Sequence, residues 1–166
     1  TCIDENIIGA LLANGVTTCS VFRRPKLAIF SAGDELVHPS KTPSDGKIRD
    51  INLYTISASA RALGTVVDCF PRQPDILEKQ LSVAKQALET ADVLIFTSGS
   101  SVNTRDLTSQ VVESLGDPGV LIHGLTVKPG KPTVLGMAGR KPIIGLPGNP
   151  VSALTIFNVV GKPIIK

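Results

Sequence analysis

Ala91–Thr108, ADVLIFTSGSSVNTRDLT, sets an apolar run against an abrupt polar end. Val93 to Thr97 are apolar or β-branched in succession, the pattern of a strand covered on both faces and so of a parallel sheet inside an α/β domain. The Ser, Gly and Asn residues that follow read as a tight loop opening a helix, with Asp106 standing before the next apolar stretch. In open parallel sheets ligands bind beyond the carboxyl ends of the strands. The loop from Thr97 to Asp106 therefore lies where a ligand is expected. Gly99 permits close backbone approach there, and the N–H groups that open the next helix favour an anion.

Upstream, Leu77, Leu81, Ala84 and Leu88 line one face of a helix ending near Thr90, with Asp75 and Glu78 spaced as a capping box. Val66 to Phe70 reads as a strand, and before it a helix runs to about Leu63 with Gly64 as its stop. That helix follows Gly46-Lys47-Ile48-Arg49-Asp50-Ile51-Asn52, where position alone makes Asp50 or Asn52 an N-cap. His38 to Gly46, rich in Pro, Ser and Lys, is a surface loop. Lys26 to Ser31 reads as a strand that runs into Ala32-Gly33-Asp34-Glu35-Leu36, a second candidate for the ligand edge. At the start, Ile3, Ile7, Ile8, Leu11 and Leu12 recur at helical spacing up to Asn14-Gly15, which predicts an amphipathic helix packed on the sheet.

Downstream, Val111, Val112 and Leu115 give a short helix that stops at Gly116. Val120 to Ile122, Leu125 to Lys128, Thr133 to Gly136 and Pro142 to Leu146 read as short strands separated by Gly and Pro. Lys128-Pro129-Gly130-Lys131-Pro132 places two lysines three residues apart on backbone that proline stiffens. Such a loop is equally a solvated turn or an anion holder whose stiffness lowers the entropy cost of fixing the lysines. In Gly145–Leu154, GLPGNPVSAL, a strand enters a Pro/Gly loop and an apolar helix leaves it, the geometry of an anion cradle.

The composition narrows the classes to which these loops can belong. The chain has 166 residues, 42% hydrophobic and 19% charged, which suits one globular domain with a sizeable core. A net charge of +3 is spread along the chain, and one Tyr with no Trp leaves little to stack bases, so no nucleic-acid binding is expected. Cys2, Cys19 and Cys69 are odd in number and show no ligand spacing with His38 and His123. Neither a disulfide framework nor a zinc site follows, and a cytoplasmic setting is expected. No apolar run approaches the roughly 20 residues that span a bilayer, so no membrane partner is expected either. Met137 is the only methionine, which predicts a piece excised from a longer protein, with residues 1–20 as leading helix and linker and 21–166 as core. No P-loop lysine, dinucleotide-type glycine pattern or nucleophile elbow is present on which an NTPase, dehydrogenase or hydrolase could rest.

Taken together, SAGDEL, GKIRDIN, TSGSSVNTRDLT, VKPGKP and GLPGNPVSAL, in this order and spacing, resemble the central domain of the molybdopterin molybdotransferases, the MoeA and gephyrin E-domain family. The resemblance covers about Val21 to Ile165. It implies a three-layer α/β/α domain with a mostly parallel sheet. It also implies a role in molybdenum cofactor biosynthesis, with molybdate inserted into the dithiolene of adenylylated molybdopterin, loss of AMP, and help from Mg²⁺ or another divalent cation. Glu35 and Asp106 fall on positions of functional carboxylates, catalytic and metal-binding. Substrate contacts are implied at Gly33, Asp34, Asp50, Asn52, Thr97, Ser98, Gly99, Ser100 and Ser101, at the basic pair Lys128 and Lys131, and at Pro147, Gly148, Asn149 and Pro150.

These roles fit elementary chemistry. A hard cation takes oxygen ligands and keeps several waters, so one or two carboxylates suffice. Lysines and helix N-termini suit the pterin phosphate and the oxyanion, leaving charge neutralisation and positioning as the main effects. The chain departs from the family pattern at Ala32, where Thr is usual, at Ser98 and Asn103, where Gly is favoured, and at Ile51, where a small hydroxyl residue is common. Full-length members carry further domains, and their dimer completes the cleft, so a homo-oligomer is implied. Two alternatives remain open: a molybdopterin adenylyltransferase of the same fold, and a non-catalytic scaffold module, since gephyrin's related domain also anchors receptors.

Overall fold

The structure, a computed structural model, describes residues 3–98 and 102–165, with the side chains of residues 102–106 outside that description. Gly99, Ser100 and Ser101 lie outside the described residues, as does the side chain of Asp106. The elements run α1 (Glu5–Ala13), β1 (Lys26–Ser31), β2 (Leu36–Val37), β3 (Ile48–Arg49), α2 (Asn52–Arg61), β4 (Val66–Cys69), α3 (Leu77–Thr90) and β5 (Val93–Thr97). They continue with α4 (Val102–Glu113), β6 (Pro118–His123), β7 (Val134–Ala138), β8 (Lys141–Leu146), α5 (Pro150–Ile156) and α6 (Lys162–Ile165), the last two joined by a π-helical turn, Phe157–Gly161.

One six-stranded sheet has the order β4-β1-β5-β8-β7-β6. The first four are parallel, and β7 runs antiparallel to both β8 and β6. The apolar run of β5 is buried throughout because it lies between β1 and β8 with helices on both faces. Alternation along the strands divides the core in two. Leu27, Ile29, Ile95 and Ile144 pack with Ile56 and Ala60 of α2 and Ala153 and Ile156 of α5. Ala28, Phe30, Leu94, Phe96 and Ile143 pack with Ala84 and Ala87 of α3 and with Val111 and Val112 of α4. In that second layer the Phe30 and Phe96 rings stack with centroids 5.0 Å apart. The result is the expected three-layer α/β/α domain with a mostly parallel sheet.

Because the strands are parallel, Ser31, Thr97 and Leu146 end side by side, Ser31 against Thr97 and Thr97 against Leu146. The first residue of antiparallel β7, Val134, pairs with both Gly145 and His123, which brings the 124–133 loop to the same edge. The chain therefore delivers four loops to one rim.

Three expectations need correction. The leading helix α1 forms, with Asp4 Oδ1 accepting from the Ile7 N–H at 2.9 Å, but none of its residues is buried and it does not pack on the sheet. Ile8, Leu11 and Leu12 instead share a small depression with Val16 to Cys19. Periodicity reveals an apolar face without saying what covers it. Asp75 is not the cap of α3, whose N-cap position is held by Ile76 with no side-chain bond. The Asp34 N–H donates to Asp75 Oδ2 at 3.2 Å and the Asp75 N–H to Asp34 Oδ1 at 3.4 Å, so the acid serves a long-range loop contact. Leu125 to Lys128 is not a strand. The Gly124 and Leu125 N–H groups donate to the Thr133 and Lys131 carbonyls, which closes a run of turns.

The segment entering β1 is fixed by a bidentate pair, Arg23 Nη1 to Asp92 Oδ2 at 2.6 Å and Nη2 to Oδ1 at 2.5 Å, and the Lys26 N–H also donates to Asp92 at 2.8 Å. The Arg23 guanidinium, and after it the Lys26 amide, lower the Asp92 carboxyl from its ordinary 3.8 to about 2. A depressed carboxylate value stabilises the fold above pH 3.8 and loses that contribution as the pH falls towards about 2. Asp92→Asn should accordingly flatten the acid limb of the stability curve between those values and lower neutral stability by the same amount, a modest one because the guanidinium is 73% exposed. Urea unfolding at a series of pH values checks this, and an unaltered acid limb would count against it. Among the described residues, no helix is long and apolar enough to cross a membrane.

Candidate functional site

A cleft of about 190 Å³ opens where β1, β5 and β8 end, lined by Glu35, Asn52, Thr97, Ser98, Gly148, Asn149 and Pro150 among others. Four segments distant in sequence thus meet in one place. Ala32, Leu36 and Ile48 supply its apolar walls. Leu36 and Ile48 were not singled out from the sequence, and only their pairing across the β2–β3 ribbon brings them together.

The turn after β1 is built around a glycine. Gly33 has φ +151°, and a Cβ placed there would lie 2.6 Å from Glu35 Oε2, so the carboxylate is folded over the glycine's bare Cα. Arg72 Nη1 donates to the Gly33 carbonyl and Lys47 Nζ to the Asp34 carbonyl, each at 2.9 Å, which pins the turn from two sides. Asp34 itself is exposed and engaged with Asp75. Gly33→Ala should lower stability by about 1–3 kcal/mol, the usual cost of a disfavoured backbone, and should displace Glu35. Urea denaturation reads the first effect, and an unchanged midpoint would mean that this turn does not need the conformation only glycine adopts freely.

Beneath the cleft lies a buried hydrogen-bonded chain. Thr97 Oγ1 donates to Ser31 Oγ at 3.2 Å, and Ser31 Oγ donates to Asp50 Oδ1 at 3.0 Å. The N-cap position of α2 is held by Ile51 and not by Asp50 or Asn52 as expected, but the same Asp50 oxygen, one residue earlier, accepts from the Leu53 N–H at 3.3 Å and so serves an amide of the first turn. Asp50 does not line the cleft and faces a neighbouring depression with His38, Tyr54 and Arg72. Asn52, the first residue of α2, does line it, and its Nδ2 donates to the Gly148 carbonyl at 2.8 Å. Ser98 Oγ accepts from Thr108 Oγ1 at 2.7 Å, which ties the end of β5 to α4.

The loop after β8 departs from the cradle expected of it. Asn149 Oδ1 accepts from the Val151 and Ser152 N–H groups at 3.1 and 3.2 Å, and Pro150 has no N–H to offer. The first donors of α5 are therefore satisfied internally and not presented to an anion. Asn followed by Pro at the first helical position is a capping signature that the sequence already contained. Pro147 is buried at the mouth of this loop, while Gly148 and Pro150 reach the cleft.

Lys128 and Lys131 belong to a separate depression of about 550 Å³ on the same rim, shared with His123, Leu125 and Thr126. The loop between the lysines is held by Gly130, packed so closely on Ile156 that an added Cβ would clash with its Cδ1, and by the Thr133 hydroxyl donating to the Gly130 carbonyl at 2.6 Å. Neither lysine has a carboxylate partner among the described residues. The rim thus carries an acceptor-walled cleft and a cation-walled basin as distinct places.

A family model described as "Probable molybdopterin binding domain" matches residues 28–166. The chain belongs to that family. This molybdopterin-binding domain is 32% identical to a molybdopterin molybdenumtransferase of Staphylococcus aureus over 164 residues, 99% of this chain and 39% of the relative. It is 33% identical to the Staphylococcus epidermidis enzyme of that name over 163 residues, 98% of this chain and 39% of the relative. The chain spans about two fifths of the length of these curated relatives. Among solved structures, a molybdopterin biosynthesis MoeA protein from Pyrococcus horikoshii superimposes with a TM-score of 0.83 at 34% identity, covering 98% of this chain and 40% of that one. A MoaB protein from Thermus thermophilus, at 20% identity and a TM-score of 0.58 over 84% of this chain and 94% of that one, shares the fold. The expected kinship of the molybdopterin-binding domain with MoeA proteins therefore holds.

Proposed function

We propose that this domain forms the pterin-binding face of a molybdotransferase, which inserts molybdate into the dithiolene of adenylylated molybdopterin and releases AMP. The reading rests chiefly on one observation: the carboxyl edge of the sheet carries the Glu35–Asn52–Pro150 cleft and the Lys128–Lys131 basin together. The names of the full-length relatives lend it further support. In this reading the lysines neutralise phosphate and oxyanion charge. Pinned turns hold the cleft in shape before ligand arrives, so binding requires little ordering. A cytoplasmic setting and a second copy that completes the cleft are parts of the same proposal.

The reaction also implies a divalent cation such as Mg²⁺. Among the described residues, no group of three or more His, Cys, Asp or Glu converges on a point. A hard cation that keeps its waters and shares substrate phosphates does not require one. Glu35 fits the need, since its half-buried carboxylate lines the cleft and accepts no hydrogen bond from any described residue. Asp106 is the second carboxylate of the proposal. When bound, the ion supplies charge neutralisation at the reacting oxygens.

Calorimetric titration of the protein with molybdopterin, with and without Mg²⁺, tests the reading. Saturable binding that tightens with the metal is expected, and absence of binding in both conditions would end it. ATP-dependent transfer of AMP onto molybdopterin would replace it with an adenylyltransferase.

A further inference from the structure

Among the described residues, one buried side-chain polar atom of the cleft is left without a partner. Asn52 is 7% exposed, and because its Nδ2 donates to the Gly148 carbonyl, the amide cannot be turned the other way. Its Oδ1 is buried and unpaired. The other buried orphans among the described residues, on Asp75 and Gln80, do not line the cleft. A buried acceptor left unmade carries the full loss of its hydration, which an incoming donor restores.

The surroundings define that donor. Among the described residues no lysine or arginine lines the cleft, Glu35 brings negative charge, and the Asn149 side chain closes off the first amides of α5. An anion would thus meet a carboxylate and an unpaired carboxamide oxygen, with no cation among the described residues to offset them. Ala32, Leu36, Ile48 and Pro150 offer apolar surface suited to the faces of a flat ring. At 190 Å³ the cleft is smaller than the roughly 300–1,000 Å³ typical of pockets that take a whole drug-sized ligand. It suits one ring system, with any charged tail outside it.

We propose that Asn52 is a specificity residue, its carboxamide oxygen accepting an N–H from the edge of a nitrogen heterocycle seated in this cleft, while the ligand's phosphate is held elsewhere on the rim. The proposal rests on the pterin reading of the site and identifies which part of the ligand the cleft takes. It also predicts selectivity, because a ring that lacks an edge donor leaves the orphan unpaired.

The probes are 6-hydroxymethylpterin, which carries ring N–H donors and no phosphate, and inorganic phosphate, each titrated into the protein and its variants. Asn52→Leu removes the acceptor and should weaken the pterin at least about tenfold, the scale of one lost buried hydrogen bond, with phosphate affinity unchanged. Asn52→Asp keeps an acceptor in the same shape and should retain pterin binding. Both variants lose the Nδ2 bond to Gly148, so a merely structural role would weaken both alike. Should Asn52→Leu not fold, Asn52→Ala makes the same comparison. Pterin binding by Asn52→Leu at the wild-type level, or by Asn52→Asp as poorly as by Asn52→Leu, overturns the proposal. If the wild type binds molybdopterin while Asn52→Leu binds the pterin equally well, only this inference fails. A wild type that binds no pterin at all defeats the underlying reading with it.

Discussion

Asp106→Asn should reduce molybdate insertion by roughly 10²–10³-fold, the usual consequence of removing one group that stabilises transition-state charge, while the protein stays folded. The substitution is isosteric and falls in the second turn of α4, whose anchoring to the core comes from Val111 and Val112 further along. Only charge is removed. That charge matters in the proposal because among the described residues the cleft is lined by a single carboxylate, Glu35, and a hard cation held by one carboxylate alone is held weakly against bulk water. Glu35→Gln provides the complementary measurement. If both groups serve one ion, each variant should raise the Mg²⁺ concentration needed for half-maximal insertion, and the double variant should lose little more than either single one. Wild-type insertion by a folded Asp106→Asn protein would remove Asp106 from the mechanism. Wild-type rates in both single variants would remove the metal reading.

The features legible in the sequence were those set by local pattern. Val93 to Thr97 announces a strand covered on both faces because no charged residue interrupts it, and α3 shows its packed stripe through Leu77, Ala84 and Leu88. Each strand ending in a Gly- or Ser-rich turn points to the ligand edge, because parallel strands share one direction. Long-range pairing was not legible. Asp75 has the spacing of a capping box, yet its partner, Asp34, lies on another loop and no local rule selects it. The same limit applies to α1, whose apolar residues turn towards the segment after it. The separation of Lys128 and Lys131 from the cleft of Glu35 could not be read either, because it depends on β7 running antiparallel at the sheet's far side. The capping role of Asn149 was readable, since Asn before Pro at a helix start satisfies the same amides that an anion would otherwise use.

The site depends on the packing behind it, and Gly136 is where that dependence can be measured. The residue sits in the middle of β7, opposite Val120 on one side and Ile143 on the other. A Cβ there would stand 2.3 Å from Val112 Cγ1 and 2.6 Å from the Gly119 carbonyl oxygen. The first obstacle is a side chain on α4 that is 0% exposed, and the second is backbone of the neighbouring strand, so neither can swing aside. Gly136→Val should therefore cost at least about 3 kcal/mol, the upper end of overpacking penalties, by forcing α4 away from the sheet. Because α4 also carries Asp106 and reaches Ser98 through Thr108, the strain should extend to the cleft as weaker ligand binding at temperatures where the fold persists. Adding Val112→Ala should restore part of the stability and no more, since the Gly119 carbonyl remains in the way. Urea denaturation of the single and double variants settles the matter: a Gly136→Val midpoint equal to wild type, or full recovery in the double variant, would mean that the close approach of α4, β6 and β7 is not what holds this part of the fold.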